Sequence, residues 1–290
     1  MLYFKHRLRV AVWMLSGTVG ALVMLLPLLL GLYMPQAPYL IPLSQKVNNV
    51  MVLGFLVMLG LPAVVEFFNF RWARQADRNI ARFLKDVAEA VRSGLTLPRA
   101  LEEASQRDYG PLSKELEKVM AKFIMGTSWE ESVMSLYRNV KRPSVLRLCT
   151  ILVEANQAGG RMVDVLDSSV DLFTNLEEYK EEQYTSMRPY LLTIYMSSAV
   201  FLIIAFVVLH QFLIPLFAAS ESEGVKKAGL LVSVLDISYY ASILFWGSFI
   251  EAFFGGLIAG KIVDRNLLAG LRHSVILVSI TLVFFNLGGG

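Results

Sequence analysis

Apolar residues fill both ends of this 290-residue chain in long runs, whereas in its middle they recur at the spacing of one helix face. A helix crosses roughly 30 Å of hydrocarbon with about 20 apolar residues, because backbone groups left unpaired in lipid are too costly. Five stretches answer to this: Val10 to Met34, about Val47 to Phe68, Tyr190 to Ala219, a span within Ala228 to Gly260, and Ser274 to about Leu287. The fourth is long enough for either one protruding helix or an interfacial turn followed by a span; the second reading is preferred, with Asp236 near the break. About five transmembrane helices are expected.

Between the spans, Ile80, Phe83, Leu84, Val87 and Val91 form one face of an amphipathic helix that stops at Gly94. Thr96 is an N-cap candidate for a short second helix with Pro98 in its first turn, where a missing N–H costs little. Leu112, Leu116, Val119, Met120 and Phe123 mark a third helix closed by Gly126. Ser128 with Glu131 fits a capping box for the fourth, whose inner face is Trp129, Val133, Leu136, Tyr137 and Val140. A fifth helix starts around Pro143 and ends at Gly159-Gly160, and a sixth runs from about Arg161 into the third span. The chain is expected to be all-α, with a two-span region (1–70), a six-helix bundle (71–189) and a region of about three spans (190–290).

Charge sharpens this division. Residues 71–189 hold 18 of the 27 Lys and Arg and 18 of the 24 Asp and Glu, so the formal +3 lies in the flanks. A neutral bundle argues against a nucleic-acid surface. The first span follows Lys5, Arg7 and Arg9 but is too long for the apolar core of a signal peptide, so a retained anchor is expected. Lys and Arg precede span one and lie between spans four and five (Lys261, Arg265, Arg272), which places the N-terminus, the bundle and the 261–273 loop in the cytoplasm and the C-terminus outside.

Candidate chemistry is sparse. His6, His210 and His273 lie far apart with no ligand at metal spacing, and no glycine cluster fits a phosphate-binding loop, so neither metal, cofactor nor catalysis is expected. Cys149, the single cysteine, reads as a small core residue. The acidic run from Glu177 to Glu182 is a solvated face or a docking surface for a basic partner. Intramembrane Glu251, with His210 and Asp236, is more informative, because a charge at the bilayer centre costs about 2.5–3.5 kcal/mol. Glu251 suggests a contact with another helix, a second subunit or a membrane-embedded client, and Gly256 and Gly260 make a GxxxG pair for close helix approach.

Phe83-Leu84-Lys85-Asp86, Ser93-Gly94-Leu95-Thr96-Leu97-Pro98, Gly126-Thr127-Ser128-Trp129-Glu130-Glu131 and Ala158-Gly159-Gly160, in this order before a long helix, resemble the type II secretion system F domain. That family comprises membrane platform proteins of type II secretion, type IV pili, archaeal flagella and tight-adherence pili. The resemblance implies that Gly94, Pro98, Gly126, Gly159 and Gly160 define the fold. It also implies a cytoplasmic secretion ATPase and prepilin or pilin subunits as partners, alongside membrane lipid. With one F domain in the chain, a homodimer or a heterodimer with a second F-domain protein is expected. A transporter using Glu251, His210 and Asp236 is the alternative, but it should show paired repeats of spans, and 2 plus 3 spans around one bundle do not pair.

Overall fold

The computed structural model describes residues 6–33, 41–220 and 237–288, and their regular structure is helical throughout. The α-helices are α1 (His6–Leu29), α2 (Gln45–Arg92), α3 (Leu97–Ser105), α4 (Ser113–Ile124), α5 (Trp129–Val140), α6 (Pro143–Ala158), α7 (Met162–Val207), α8 (Ile214–Ser220), α9 (Ile237–Asp264) and α10 (Leu267–Gly288). A π-helical segment, Val208–Leu213, joins α7 to α8. Five helical stretches are long and apolar enough to cross a membrane: Arg7–Leu29, Gln45–Arg92, Pro143–Ala218, Ile237–Asp264 and Leu267–Leu287. The fold class expected from the hydrophobic pattern is therefore the one found. Asp236 and most of the 220–227 loop lie outside the described residues.

Two boundaries differ from the sequence reading. Span two and the first bundle helix are one 48-residue helix, α2, which passes Pro62 without ending. The sixth bundle helix does run into span three as expected, since α7 passes uninterrupted through the acidic stretch. The 261–273 loop shrinks to Arg265 and Asn266, because Lys261 to Asp264 finish α9 and α10 starts at Leu267. The reason is local: Arg265 takes a left-handed φ of 54°, and the Asn266 side chain accepts a hydrogen bond from the Leu268 N–H (3.0 Å), capping the new helix in place of a longer turn.

The described residues form two compact units, one of Phe68–Ser186, the other drawn from residues 7–67 and 187–288. In the first, the C-terminal part of α2 and helices α3 to α7 surround one apolar core. Ile80, Phe83, Leu84, Leu97, Leu101, Leu112 and Leu148 are completely buried there, and each such side chain contributes about 1.5–3 kcal/mol. The stripes read from the sequence are its inner faces. Along one side α2 and α7 run antiparallel: Arg92 donates to both oxygens of Asp167 (2.6 and 2.7 Å), and Arg78 pairs with Glu177 and Glu181. Arg74 lies 4.2 Å over the Tyr184 ring. Exposed pairs of this kind are worth at most about 1 kcal/mol each. They do show that part of the acidic run is engaged within the chain and is not a free docking surface.

The second unit is held by small residues and internal hydrogen bonds, as lipid requires. In α1 and α2, Gly20 faces Gly54 at backbone contact, and Ser16 donates to the Met58 carbonyl (2.9 Å). In α9 and α10, Gly256 lies against Ser274 and Gly260 against Gly270 with no room for a Cβ. Phe55 meets Phe249 and Phe253 edge-on at 4.9 and 5.1 Å. Outward, large apolar side chains such as Leu192, Ile203, Phe212, Ile250 and Phe254 stay exposed, a surface that a soluble protein does not present at this extent.

Candidate functional site

The motif glycines make turns at one end of the first unit. Gly94, Gly126 and Gly159 have φ of +99°, +92° and +55°, a region where a side chain costs about 1–2 kcal/mol. Nothing lies within 4 Å of a Cβ built at any of them, so backbone conformation, not space, demands glycine. Gly160 has neither a positive φ nor a close neighbour, and no local requirement for glycine shows there. Pro98 occupies the first turn of α3 after Thr96, whose side chain makes no capping bond. The Ser128 hydroxyl does cap α5, accepting from Glu131 N–H at 3.3 Å.

Because successive helices run up and down, the turns after α2, α4 and α6 share this end, and those after α3 and α5 share the other. At the glycine end, Ile124 and Met125 are 69% and 85% exposed, the only strongly exposed aliphatic pair on a turn of this unit among the described residues. Behind them Phe123 stacks edge-on against Trp129 at 5.5 Å, and Trp129 Nε1 donates to the Leu152 carbonyl (3.2 Å). The apolar tip thus stands on a rigid base.

The opposite half contains polar groups that sequence spacing did not reveal. Tyr109, fully buried, donates its hydroxyl to Asp86 Oδ2 (2.6 Å) and meets Phe83 edge-on at 5.3 Å. Arg107 completes the pair with Asp86 at 3.3 Å. Burial first, and then the Asp86 hydrogen bond, push the Tyr109 phenol well above its ordinary pKa, so it stays a donor. Asp77 is held by Arg142 and Ser144. Glu115 is nearly enclosed; burial alone would raise its pKa, but bonds from Lys118 and Asn139 outweigh it and keep the carboxyl ionised below its ordinary range. Burial pushes the Cys149 thiol up to about 12, and its Sγ donates to the Val133 carbonyl (3.2 Å), the behaviour of a core residue.

In the second unit, the intramembrane candidates separate. Glu251, on α9, accepts a hydrogen bond from Ser198 Oγ of α7 at 2.8 Å. His210 instead stacks on Phe206 of its own helix (4.1 Å between centroids) inside the π-helical segment. The structure does not bring it to Glu251, and Asp236 is outside the described residues. Two networks were not legible in advance. Glu66 is bonded by Arg9 (2.5 Å) and Trp13 (3.3 Å), so Arg9 serves as a partner as well as an orientation signal. His273, buried, accepts at Nε2 from Arg272 Nε (3.1 Å), which leaves its Nδ1–H for the Tyr195 hydroxyl (2.9 Å). Arg272 also pairs with Asp264 at 2.5 Å. Among the described residues, no group of three or more His, Cys, Asp or Glu is placed to hold a metal ion.

Comparison with known proteins bears on these features. Residues 83–210 match the family model of type II secretion system (T2SS) protein F, a stretch that includes every motif glycine, Ser198 and His210. Over 238 residues the chain is 26% identical to an uncharacterized protein of Methanocaldococcus jannaschii, MJ1286, covering 82% of this chain and 38% of that one. The chain thus spans less than two fifths of that relative's length. No solved structure matches it significantly. Residues 83–210 are thus similar to the F-domain family that the sequence resembles, and five long apolar helices make the chain a multi-pass membrane protein.

Proposed function

We propose that this chain is the integral-membrane platform of a type IV pilus-like filament or a type II secretion pseudopilus. It couples a cytoplasmic secretion ATPase to the insertion and outward movement of pilin subunits. The first unit is cytoplasmic, as are the N-terminus and the Arg265–Asn266 turn, and the C-terminus is outside. The ATPase docks on the glycine-turn end of the bundle, where Ile124 and Met125 project, and energy comes from its ATP. The chain acts as a homodimer or with a second F-domain protein.

The single observation that carries this reading is the F domain at residues 83–210, inserted between apolar helices. Its turns are built by the family's glycines at one end, leaving an apolar tip free for a soluble partner. A transporter reading is less well supported, since Glu251 and His210 engage different neighbours.

The test is genetic. Deletion of the gene should abolish surface filaments or substrate secretion, with ATPase and pilin levels unchanged, and the full chain supplied in trans should restore them. Filaments persisting at normal number in the deletion strain would refute the proposal.

A further inference from the structure

Among the described residues of the second unit, the carboxylates other than Glu251 are paired with arginines. Of its described acidic residues, Glu66 is paired with Arg9 and Asp264 with Arg272, each at 2.5 Å. Glu251 has only a neutral donor, the Ser198 hydroxyl, on Oε2. Its depth makes this unusual. It is the fifteenth of the 28 residues of α9, about 20 Å from either end at 1.5 Å per residue, which is the middle of this membrane-spanning helix.

The surroundings leave the second oxygen open. Gly255, one turn on, presents no side chain over the carboxylate: a Cβ there would lie 3.8 Å from Glu251 Oε1 and 3.6 Å from Ile194 of α7. On the lipid side Ile250, Phe254 and Ile258 are 53%, 55% and 52% exposed, forming a stripe beside the half-buried carboxylate. The result is an apolar helix face with one acidic group exposed through a glycine notch.

We infer that Glu251 and the Gly255 notch between α7 and α9 form a docking site for an apolar transmembrane helix of another protein that carries a basic side chain at mid-depth. Charge complementarity selects this occupant, because a basic side chain would complete the hydrogen bonds of a carboxyl group held among apolar helices. A second copy of this chain cannot supply the cation. No Lys or Arg occurs between Arg9 and Lys46, between Lys46 and Arg71, between Arg188 and Lys226, between Lys227 and Lys261, or after Arg272, so those of the described spans lie toward the ends of the apolar runs. His210 is twelve residues from Ser198 along its helix, about 18 Å away in depth. The inference deepens the proposed function by naming what the spans recognise in a membrane-embedded client, and it rests on that reading for the client's origin.

The test uses the full chain in phosphatidylcholine vesicles, labelled at exposed Leu287→Cys, with a synthetic Leu/Ala transmembrane helix carrying one central Lys and a dye. Energy transfer is titrated against the same peptide with Leu at its centre. The Lys peptide should associate about three- to tenfold more strongly, the range of interhelical polar contacts, and in Glu251→Gln the ratio should fall to about one with helicity and melting unchanged. Equal association of both peptides, a Lys preference that survives Glu251→Gln, or Glu251-dependent pairing of copies without peptide would overturn the site. A flat titration, with filament assembly still dependent on the chain, removes this site and leaves the platform reading in place.

Discussion

Gly270→Leu is expected to open the α9–α10 hairpin and leave little folded protein in the membrane. A Cβ at position 270 would stand 2.7 Å from the Leu257 carbonyl oxygen and 2.9 Å from that of Gly256. Both obstacles are backbone, which cannot swing aside as a flexible side chain can. The facing positions, Gly256 and Gly260, are equally closed by Ser274 and Gly270, so the helices can make room only by separating. Separation would also pull Ser274 Oγ from the Phe253 carbonyl (2.8 Å) and Arg272 from Asp264 (2.5 Å). Overpacking costs about 1–3 kcal/mol even where repacking is possible, and the upper end or beyond is expected here. Gly60→Ala is the control: nothing lies within 4 Å of that Cβ, and alanine should hold or raise stability by up to about 1 kcal/mol. Thermal melting of the two purified variants in detergent separates them; equal midpoints would show that the close approach is dispensable.

The second large effect is in the bundle. Tyr109→Ala removes a fully buried aromatic from its place on Phe83 and should cost about 3–5 kcal/mol. Tyr109→Phe keeps the ring but deprives Asp86 of its hydroxyl donor, while Arg107 at 3.3 Å remains. It should therefore cost only about 1–2 kcal/mol. Denaturant unfolding of the full chain followed by tryptophan fluorescence distinguishes the contributions. If Phe and Ala are equally harmful, the hydroxyl bond to Asp86 dominates; the ordering above requires Phe to be much the milder change.

What could be read in advance was periodic or local. Ile80, Phe83, Leu84 and Val87 announce a buried helix face by spacing alone, and all four are buried. Gly94, Gly126 and Ser128 declare their turns because left-handed backbone and capping depend on a few adjacent residues. Continuity is harder to read: the second apolar run closes near Phe68, where the charged segment begins, yet α2 continues because its later turns bury their apolar face in the bundle. The long-range partners were invisible. Nothing within the neighbourhood of Arg9 points to Glu66, nor of Tyr109 to Asp86, and only helix pairing brings them together. For the same reason Glu251 stood out in sequence as an acid among apolar residues, whereas its lone bond to Ser198 and its glycine notch required the packing of α7 on α9.

Whether the chain is a platform for a separate ATPase can be decided by affinity purification of the full chain from native membranes, with and without the Ile124→Glu/Met125→Glu change. Both side chains are exposed, so the double variant should keep its melting temperature and membrane level. A cytoplasmic secretion ATPase should co-purify with the unaltered chain and fall by more than an order of magnitude with the variant, while the chain alone hydrolyses no ATP. Absence of any such ATPase from the unaltered chain, in cells producing both, or ATP hydrolysis by the purified chain itself, would contradict the proposed role.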